Sequence, residues 1–197
     1  MAMRAMRGTT LRLAGALTCA IQPSSAHAAL SAFIVDWGEV RADVAGLLAS
    51  DRDDHSLTPT LSIREPEFTR RTDGIEARLC RQFGVRHLLK TDAGTPLPRL
   101  LRVHVRHPRL TRPDGASSEE DSFLTAVTPR PPPNTPPRVE TGSTAAFFMF
   151  NYAWEMQPGA WTFEFRDGDA LVVSKTFTVT APPDAPRQPE CGPAAIS

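Results

Sequence analysis

The sequence has no long apolar run beyond its start, very little lysine and no excess of basic charge. After residue 28, no segment approaches the roughly 20 consecutive apolar residues of a membrane-spanning helix, so we expect no transmembrane segment in the mature chain. The 197 residues carry 22 basic and 22 acidic side chains, whereas a general nucleic-acid-binding surface is strongly basic. We therefore expect no nucleic-acid partner. Only Lys90 and Lys175 are lysines, which we attribute to genomic base composition.

Motifs of common hydrolases and metal sites are also missing. There is no Gly-x-Ser-x-Gly nucleophile elbow, and the acidic segment 51–55 lacks the glycine and distal glutamate of a calcium-binding loop. His104 and His107 stand three apart at the end of a predicted strand, so their side chains point to opposite faces and cannot share a zinc ion. We interpret Glu155 and Glu164 as surface acids. The sequence thus predicts no cofactor, no metal and no enzymatic activity, with an exported hydrolase or metal-dependent enzyme as the alternative.

The first 28 residues have the three parts of a secretory signal peptide. These parts are a basic start with Arg4, Arg7 and Arg12, a short apolar segment at 13–21, and a small-x-small motif at 26–28. Cleavage after Ala28 is expected to release a periplasmic or secreted protein. The removed segment contains three arginines and no acidic residue, so the mature domain is mildly acidic.

The most regular pattern in the chain lies at 159–180. Trp161, Phe163 and Phe165 alternate with polar residues, which is the period of a half-buried strand. The segment 166–169, Arg-Asp-Gly-Asp, is typical of a tight hairpin turn, and Phe177 continues the apolar face on the return strand. An aromatic face of this kind must pack against a second sheet.

Weaker alternation predicts further strands across residues 29–180. The predicted strands cover 32–40, 57–63, 74–89, 100–107, 122–128 and 144–152. Residues 44–50 are expected to form a helical turn or loop, Phe83-Gly84-Val85 to interrupt the strand at 74–89, and Pro108 to end the strand before it. About seven to eight strands, with turn signals between them and no long amphipathic helix, predict an all-β, immunoglobulin-like antiparallel β-sandwich.

Aromatic residues of several predicted strands are expected to fill the core. Phe33, Val35 and Trp37 alternate and are expected to share one face of the first strand. The segment 144–152 is apolar on both faces, which is typical of a central strand covered on both sides or of an interface strand. The predicted core aromatics are Trp37, Phe147 or Phe148, Trp161, Phe163, Phe165 and Phe177. We expect Gly84 to mark a bulge or a close approach between backbones.

Two regions are rich in proline. Residues 129–137 hold a cluster that excludes a helix or an inner strand, so we expect an extended polyproline-type loop. Residues 181–197 are rich in proline and polar side chains, so we expect a disordered tail. The β-sandwich domain is therefore expected to span 29–180.

Two cysteines, Cys80 and Cys191, lie outside the predicted signal peptide. Exported thiols tend to pair, and an even number permits one disulfide. Such a bridge would attach the proline-rich tail to the outside of a strand. The alternative is two unrelated cysteines, one of them in the tail.

The most concentrated basic stretch lies in the predicted strand at 100–107. Its apolar residues alternate with Arg102, His104 and Arg106, which therefore share the outward face. One interpretation is a surface that binds anions or acidic polysaccharides. The other is a solvated sheet face on which these side chains pair with acidic residues of neighbouring strands.

One part of the chain resembles a known family. The segment with Glu155, Pro158-Gly159, Trp161 and Phe163, closed by Lys175, Phe177 and Val179, is similar to exported bacterial proteins that carry a single domain of unknown function. That family shows the pattern Glu-x-x-Pro-Gly-x-Trp-x-Phe followed by a Lys-x-Phe-x-Val strand. The Phe83-Gly84 pair and the turn at 112–115 are also similar, so the resemblance covers most of residues 30–180. It implies a β-sandwich and an envelope location but supplies no catalytic residues.

These patterns predict a non-enzymatic β-sandwich module that binds another protein or a glycan in the cell envelope. The segment Phe147 to Phe150 carries the prediction, because a strand that is apolar on both faces lies either deep in a core or in an interface. A purely structural domain of a larger assembly is a further alternative.

Overall fold

The computed structural model describes residues 30–42, 44–47, 56–57, 61–63, 66–92, 94–130, 140–181 and 191. The predicted signal peptide at 1–28 and the charged segment at 51–55 lie outside these residues. The same holds for the proline-rich loop beyond residue 130 and for most of the predicted tail at 181–197. Within the described ranges, no helix has the length and hydropathy of a membrane span.

The described structure consists of β-strands and one 3-10 turn at Ala153–Glu155. The strands are β1 (Ser31–Arg41), β2 (Val44–Leu47), β3 (Leu61–Ile63), β4 (Glu67–Arg70), β5 (Gly74–Glu76), β6 (Gln82–Lys90), β7 (Leu100–Thr111), β8 (Ser117–Ala126), β9 (Thr128–Pro129), β10 (Thr141–Met149), β11 (Gly159–Asp167) and β12 (Ala170–Thr180). β11 and β12 form the predicted hairpin.

The strands form two five-stranded sheets and a separate β2–β3 ribbon. The first sheet has the order β4-β1-β6-β10-β9 and the second the order β5-β12-β11-β7-β8. Side chains of both sheets meet in one core, so the predicted all-β, immunoglobulin-like sandwich is confirmed. Its pairs are antiparallel except β5–β12. The predicted strand count is too low because β4, β5 and β9, with 4, 3 and 2 residues, are too short to show a period.

Aromatic rings from both sheets fill the centre of the sandwich. Phe83 on β6 contacts Trp161, Phe163 and Phe177 of the facing sheet edge-on, at centroid distances of 5.9, 5.8 and 5.3 Å. All four side chains are fully buried, as is Phe165. Edge-to-face contacts add to the stabilisation that burial itself provides. The predicted aromatic core of the β11–β12 hairpin is therefore confirmed.

The first strand places its apolar residues differently from the prediction. A bulge between Ile34 and Asp36 shifts the β1–β6 register, and a bulge changes which face the following residues occupy. Trp37 consequently packs, partly buried, against the core, whereas Phe33 points outward and is 60% exposed. The expectation that Phe33 and Trp37 share one face is wrong.

The segment at 74–89 contains two strands rather than one interrupted strand. β5 pairs with β12 in the second sheet, and the chain crosses at 77–81 to β6 in the first sheet. The interruption predicted at 83–85 is wrong, since these residues lie within β6. Gly84 does mark a close approach, because a Cβ at this position would collide with the carbonyl oxygen of Ala146 on β10.

Two other predictions about the extent of strands are also wrong. Residues 44–47 form strand β2 rather than a helical turn or loop. β7 continues past Pro108 to Thr111, because the β7–β8 register shifts between Arg106 and Leu110, and a bulge tolerates a residue without an N–H. His107 therefore lies inside a strand rather than at its end, and its side chain is buried.

Candidate functional site

The basic face predicted on β7 is present on the outside of the second sheet. Leu101, Val103 and Val105 of β7 are buried. The residues between and after them, Arg102, His104 and Arg106, therefore point outward, as the alternation predicts. β8 and β11 flank β7 in the sheet. They place Glu120 opposite Arg106 and Glu164 opposite His104.

Acidic side chains pair with this basic face. His104 Nδ1 lies 2.6 Å from Glu120 Oε1, and Arg106 Nε lies 3.3 Å from Glu120 Oε2 and 3.5 Å from Glu164 Oε1. Arg166 extends the network with a 2.8 Å contact to Glu164. Arg102 also has an interaction partner. The arrangement matches the second interpretation of the sequence, in which neighbouring strands supply the counter-charges.

The ionisation of Glu120 follows from these contacts. Burial raises the pKa of Glu120, but the hydrogen bond from His104 and the charges of His104 and Arg106 lower it by more. The pKa of Glu120 therefore lies below its ordinary value. Glu120 is therefore ionised at neutral pH and acts as an internal counter-ion.

The outward face of the first sheet differs, because two exposed apolar side chains lie side by side on neighbouring strands. The neighbours of Leu88 along β6, His87 and Leu89, are fully buried, so Leu88 points to solvent. Phe33 lies directly opposite Leu88 in the β1–β6 register. Leu88 is 37% exposed and Phe33 60%, which leaves a cross-strand apolar pair open to water.

Phe147 on β10 lies on the same outward face. It is opposite Gly84 in the β6–β10 register, and a side chain at Gly84 would collide with it. Phe147 is half-buried, whereas the next residue, Phe148, is buried in the core. The strand that is apolar on both sides therefore has one face in the core and one on the outward surface. We call Phe33, Leu88 and Phe147 the apolar face.

Charged groups beside the apolar face are held by contacts within the chain. Arg86 Nη2 donates to the carbonyl oxygen of Pro66 at 2.6 Å, and Arg86 Nη1 lies 3.8 Å from Asp36 Oδ2. The guanidinium also lies 5.2 Å from the ring centre of Phe68, a cation–π contact. Arg86 is thus fixed beside the exposed apolar pair.

A disulfide joins Cys80 to Cys191, with their Cα atoms 5.4 Å apart. Cys80 lies in the turn between β5 and β6 and has a φ of 64°, which is uncommon for a residue other than glycine. The backbone N–H of Cys80 donates to the carbonyl oxygen of Phe150 at 2.8 Å, and that of Cys191 donates to Asn151 at 2.6 Å. The bridge therefore fixes Cys191 against the segment that follows β10.

His107 and Asp121 form a buried pair on β7 and β8. His107 Nδ1 donates to the carbonyl oxygen of Pro108 at 2.9 Å, which places a proton on this nitrogen because a carbonyl can only accept. His107 Nε2 lies 3.5 Å from Asp121 Oδ2, and the imidazole centre lies 4.9 Å from the ring centre of Trp161. Asp121 Oδ1 accepts a hydrogen bond from the Leu57 N–H at 2.9 Å. These polar groups lie at the edge of the aromatic core.

Glu155, at the end of the 3-10 turn, is fully buried, so its interpretation as a surface acid is wrong. Its Oε2 accepts hydrogen bonds from the backbone N–H groups of Asn151 at 2.5 Å and Tyr152 at 2.9 Å. Its Oε1 has no hydrogen-bond partner within the described residues. Burial raises the pKa of Glu155 to about 8; the two hydrogen bonds oppose this rise and the charge of Asp121 adds to it. Glu155 therefore carries a proton at neutral pH.

His87 on β6 is a second fully buried titratable side chain. Its ring packs edge-on against Phe165 at a centroid distance of 4.2 Å, and neither ring nitrogen has a hydrogen-bond partner in the described ranges. Burial lowers the pKa of His87 to about 4, so the imidazole is neutral at pH 7. In the part of the chain that the structure describes, no three His, Cys, Asp or Glu side chains are grouped to hold a metal ion.

Sequence reasoning did not anticipate the buried polar groups. His107 and Asp121 lie in segments whose apolar period is interrupted by Pro108 or by neighbouring polar residues. The one available signal for Glu155 was its place in the Glu-x-x-Pro-Gly-x-Trp pattern, which describes a turn and does not indicate burial. Whether an acidic side chain on a turn is buried depends on how the turn packs against the sheets, which the local sequence does not show.

The fold is that of an immunoglobulin-like β-sandwich domain. The sequence profile of one family, described as a domain of unknown function (DUF3859), matches residues 39–179. The chain therefore belongs to the DUF3859 family. The prediction of a single domain of unknown function is confirmed at that level.

A solved structure is also similar to this chain. It is the crystal structure of an immunoglobulin-like protein from Pseudomonas aeruginosa, with 20% sequence identity and a TM-score of 0.45. The match covers 79% of this chain and 99% of the other. No curated protein matches the sequence.

Proposed function

We propose that this protein is an exported, non-enzymatic module that binds another protein of the cell envelope through the apolar face. The observation that carries the proposal is the exposed cross-strand pair Phe33 and Leu88, with Phe147 on the same outward surface. Large apolar side chains that are exposed next to each other, as Phe33 and Leu88 are, are a feature of interaction sites.

The energetics favour burial of this pair in a complex. Fully burying one large apolar side chain contributes about 1.5–3 kcal/mol, and Phe33 and Leu88 are side by side, so one partner surface covers both. A flat sheet face also presents them without a loop that must first be ordered, which reduces the entropic cost of association.

The basic face of the second sheet is the weaker candidate for a binding surface. Its arginine and histidine side chains already pair with Glu120 and Glu164, so an anionic glycan would have to displace these contacts. For this reason we place the protein-binding surface on the first sheet.

The disulfide supports the proposal of export. Disulfides persist in oxidising compartments such as the bacterial periplasm and are rare in the cytosol. The Cys80–Cys191 bridge and the signal-peptide pattern at 1–28 therefore point to the same location.

The buried polar groups support a role without catalysis. His107, Asp121 and Glu155 are of the types used in catalysis, but their side chains are at most a few per cent exposed, at 0% and 4% for the first two and 0% for the residue Glu155. A catalytic group must come within hydrogen-bond reach of its substrate, and these three have no such access in this conformation.

Site-specific photo-crosslinking in cells that naturally produce the protein tests the proposal. A benzophenone amino acid replaces Phe33 in one variant and Leu171 in a matched control, because Leu171 is similarly exposed at 53% but lies on the second sheet. We expect a discrete protein adduct from position 33 and none of that mass from position 171. Adding L88E to the position-33 variant should remove the adduct.

The other outcomes contradict specific parts of the proposal. An adduct of twice the chain mass would show that the partner is a second copy of this chain rather than another protein. Adducts with glycan alone, or identical products from positions 33 and 171, would exclude the apolar face as a protein-binding surface. Recovery of the uncleaved protein from the cytoplasm would exclude export.

A further inference from the structure

Glu155 connects three parts of the molecule through its hydrogen bonds. Its Oε2 holds the N–H groups of Asn151 and Tyr152, which closes the turn after β10. The carbonyl oxygen of Asn151 accepts the Cys191 N–H at 2.6 Å, so Cys191 is attached to the same turn. A movement of Glu155 would therefore release both.

The surroundings of Glu155 tolerate its neutral form far better than its ionised form. Oε1 is buried without a partner among the described residues, and an ionised oxygen in this state is strongly unfavourable. Two titratable groups approach from neighbouring strands in the described ranges. Asp121 on β8 adds negative charge, and His107 lies on β7, the strand that packs against the 3-10 turn.

The polar atoms of His107 contact groups other than Glu155. Its Nδ1 donates to the Pro108 carbonyl oxygen, and its Nε2 faces Asp121 at 3.5 Å. On its own segment Glu155 has the phenol of Tyr152 as a titratable neighbour. The negative charge of Asp121 opposes the ionisation of Glu155.

We propose that Glu155 is a proton-controlled latch for the turn at 151–155 and for Cys191, which is hydrogen-bonded to that turn. While the carboxyl group is neutral, it stays buried and holds the two backbone N–H groups. When it releases its proton to water, the carboxylate leaves the interior to regain hydration, and the turn opens. The disulfide keeps Cys191 tethered in the open form, so the opening is reversible.

The latch works close to neutral pH. Burial raises the pKa of Glu155 in the closed form to about 8, from an ordinary value of 4.5. Between these two values each pH unit shifts the balance about tenfold toward the open form, and above about pH 8 the balance no longer changes. A protein exposed to the surroundings of the cell would experience such a change directly.

Amide hydrogen exchange measured by NMR on the full-length, oxidised protein tests the latch. The amides to follow are those of Asn151, Tyr152 and Cys191, with protection expressed relative to the intrinsic exchange rate at each pH. We expect their protection to fall about tenfold between pH 6.5 and pH 7.5. In Glu155→Gln, which keeps a carbonyl acceptor but has no proton to lose, protection should stay constant.

Glu119→Gln is the matched control, because Glu119 is an exposed acid on β8. It should keep the pH dependence of the unsubstituted protein. Equal pH dependence in Glu155→Gln and in the unsubstituted protein would overturn the proposal.

A direct titration covers the case in which Glu155→Gln does not fold. Carbon-13 NMR of the glutamate carboxyl groups of the unsubstituted protein should show one resonance with a midpoint near pH 8. Midpoints that all lie below pH 6 would overturn the proposal without any variant.

Discussion

His87 and Glu155 are both fully buried titratable side chains, but they lie in opposite kinds of surroundings. His87 lies among aromatic and aliphatic groups, with Phe165 as its close ring contact. Glu155 lies beside backbone N–H groups and the charge of Asp121. Both are neutral at pH 7 because burial disfavours the charged form of either group. Burial therefore lowers the pKa of a base, His87, and raises the pKa of an acid, Glu155.

The consequence for stability has opposite signs. The pKa of His87 is lowered, so the unfolded chain binds an extra proton between about pH 6.5 and 4, and stability is lost as the pH falls through this range. The pKa of Glu155 is raised, so the unfolded chain releases a proton between about pH 4.5 and 8, and stability is lost as the pH rises. The two effects nearly cancel between about pH 4.5 and 6.5.

The largest expected effect comes from Trp161, a fully buried aromatic residue of the core. Trp161 contacts Phe83 on one side and the imidazole of His107 on the other. Trp161→Ala should lower the free energy of unfolding by about 3–5 kcal/mol, because it leaves a large cavity in a fully buried site. Urea denaturation followed by circular dichroism measures the change. An unchanged midpoint would show that the ring does not support the core.

Glu155→Gln should show the next largest effect, and it should be visible above pH 6.5. The unsubstituted protein is expected to lose roughly 2–4 kcal/mol of stability between pH 5 and 8 through this group, since one pKa unit corresponds to about 1.4 kcal/mol. The variant should lose little. Thermal unfolding across pH 5–8 measures the difference, and parallel curves for the two proteins would refute the assigned pKa shift.

His87→Leu should act in the acidic range. Removing the imidazole removes the proton uptake on unfolding, so the variant should be more stable than the unsubstituted protein at pH 4, by roughly 1–3 kcal/mol. The advantage should shrink toward pH 7. Chemical denaturation at pH 4 and pH 7 tests this, and a variant that is less stable at both would indicate a packing role for the imidazole.

The smallest expected effect comes from an acid at the surface. Glu120 has a lowered pKa, so its contribution is present above its unfolded value near 4.5 and is lost as the pH falls. Its side chain is 39% exposed, and ion pairs in such settings contribute at most about 1 kcal/mol. Glu120→Gln should therefore change stability by less than about 0.5 kcal/mol at pH 7. A larger loss would show that the ion-pair network on β7 acts cooperatively.

Alternation of side chains predicted the apolar part of this molecule well. Trp161, Phe163 and Phe177 face inward because a strand has a period of two and one side is covered. The basic face of β7 follows from the same rule. The rule fails where a strand changes phase, as at the β1 bulge that turns Phe33 outward.

The polar interior could not be predicted because it depends on contacts between distant segments. Glu155 is buried only because its turn lies against β7, and Asp121 influences it from β8. Likewise, β5 and β6 follow each other closely in the chain but belong to different sheets. The local alternation of side chains does not indicate that the chain passes from one sheet to the other.

The Cys80–Cys191 bond links residues 111 positions apart, and β6 through β12 all lie between its two ends. A ribosome that builds the chain from its amino end makes every one of those strands before the second sulfur exists. The cross-link therefore cannot guide the pairing of these strands as they emerge. It seals an arrangement that the strands must already have reached by themselves, and a chain cut short before Cys191 would leave Cys80 as a free thiol.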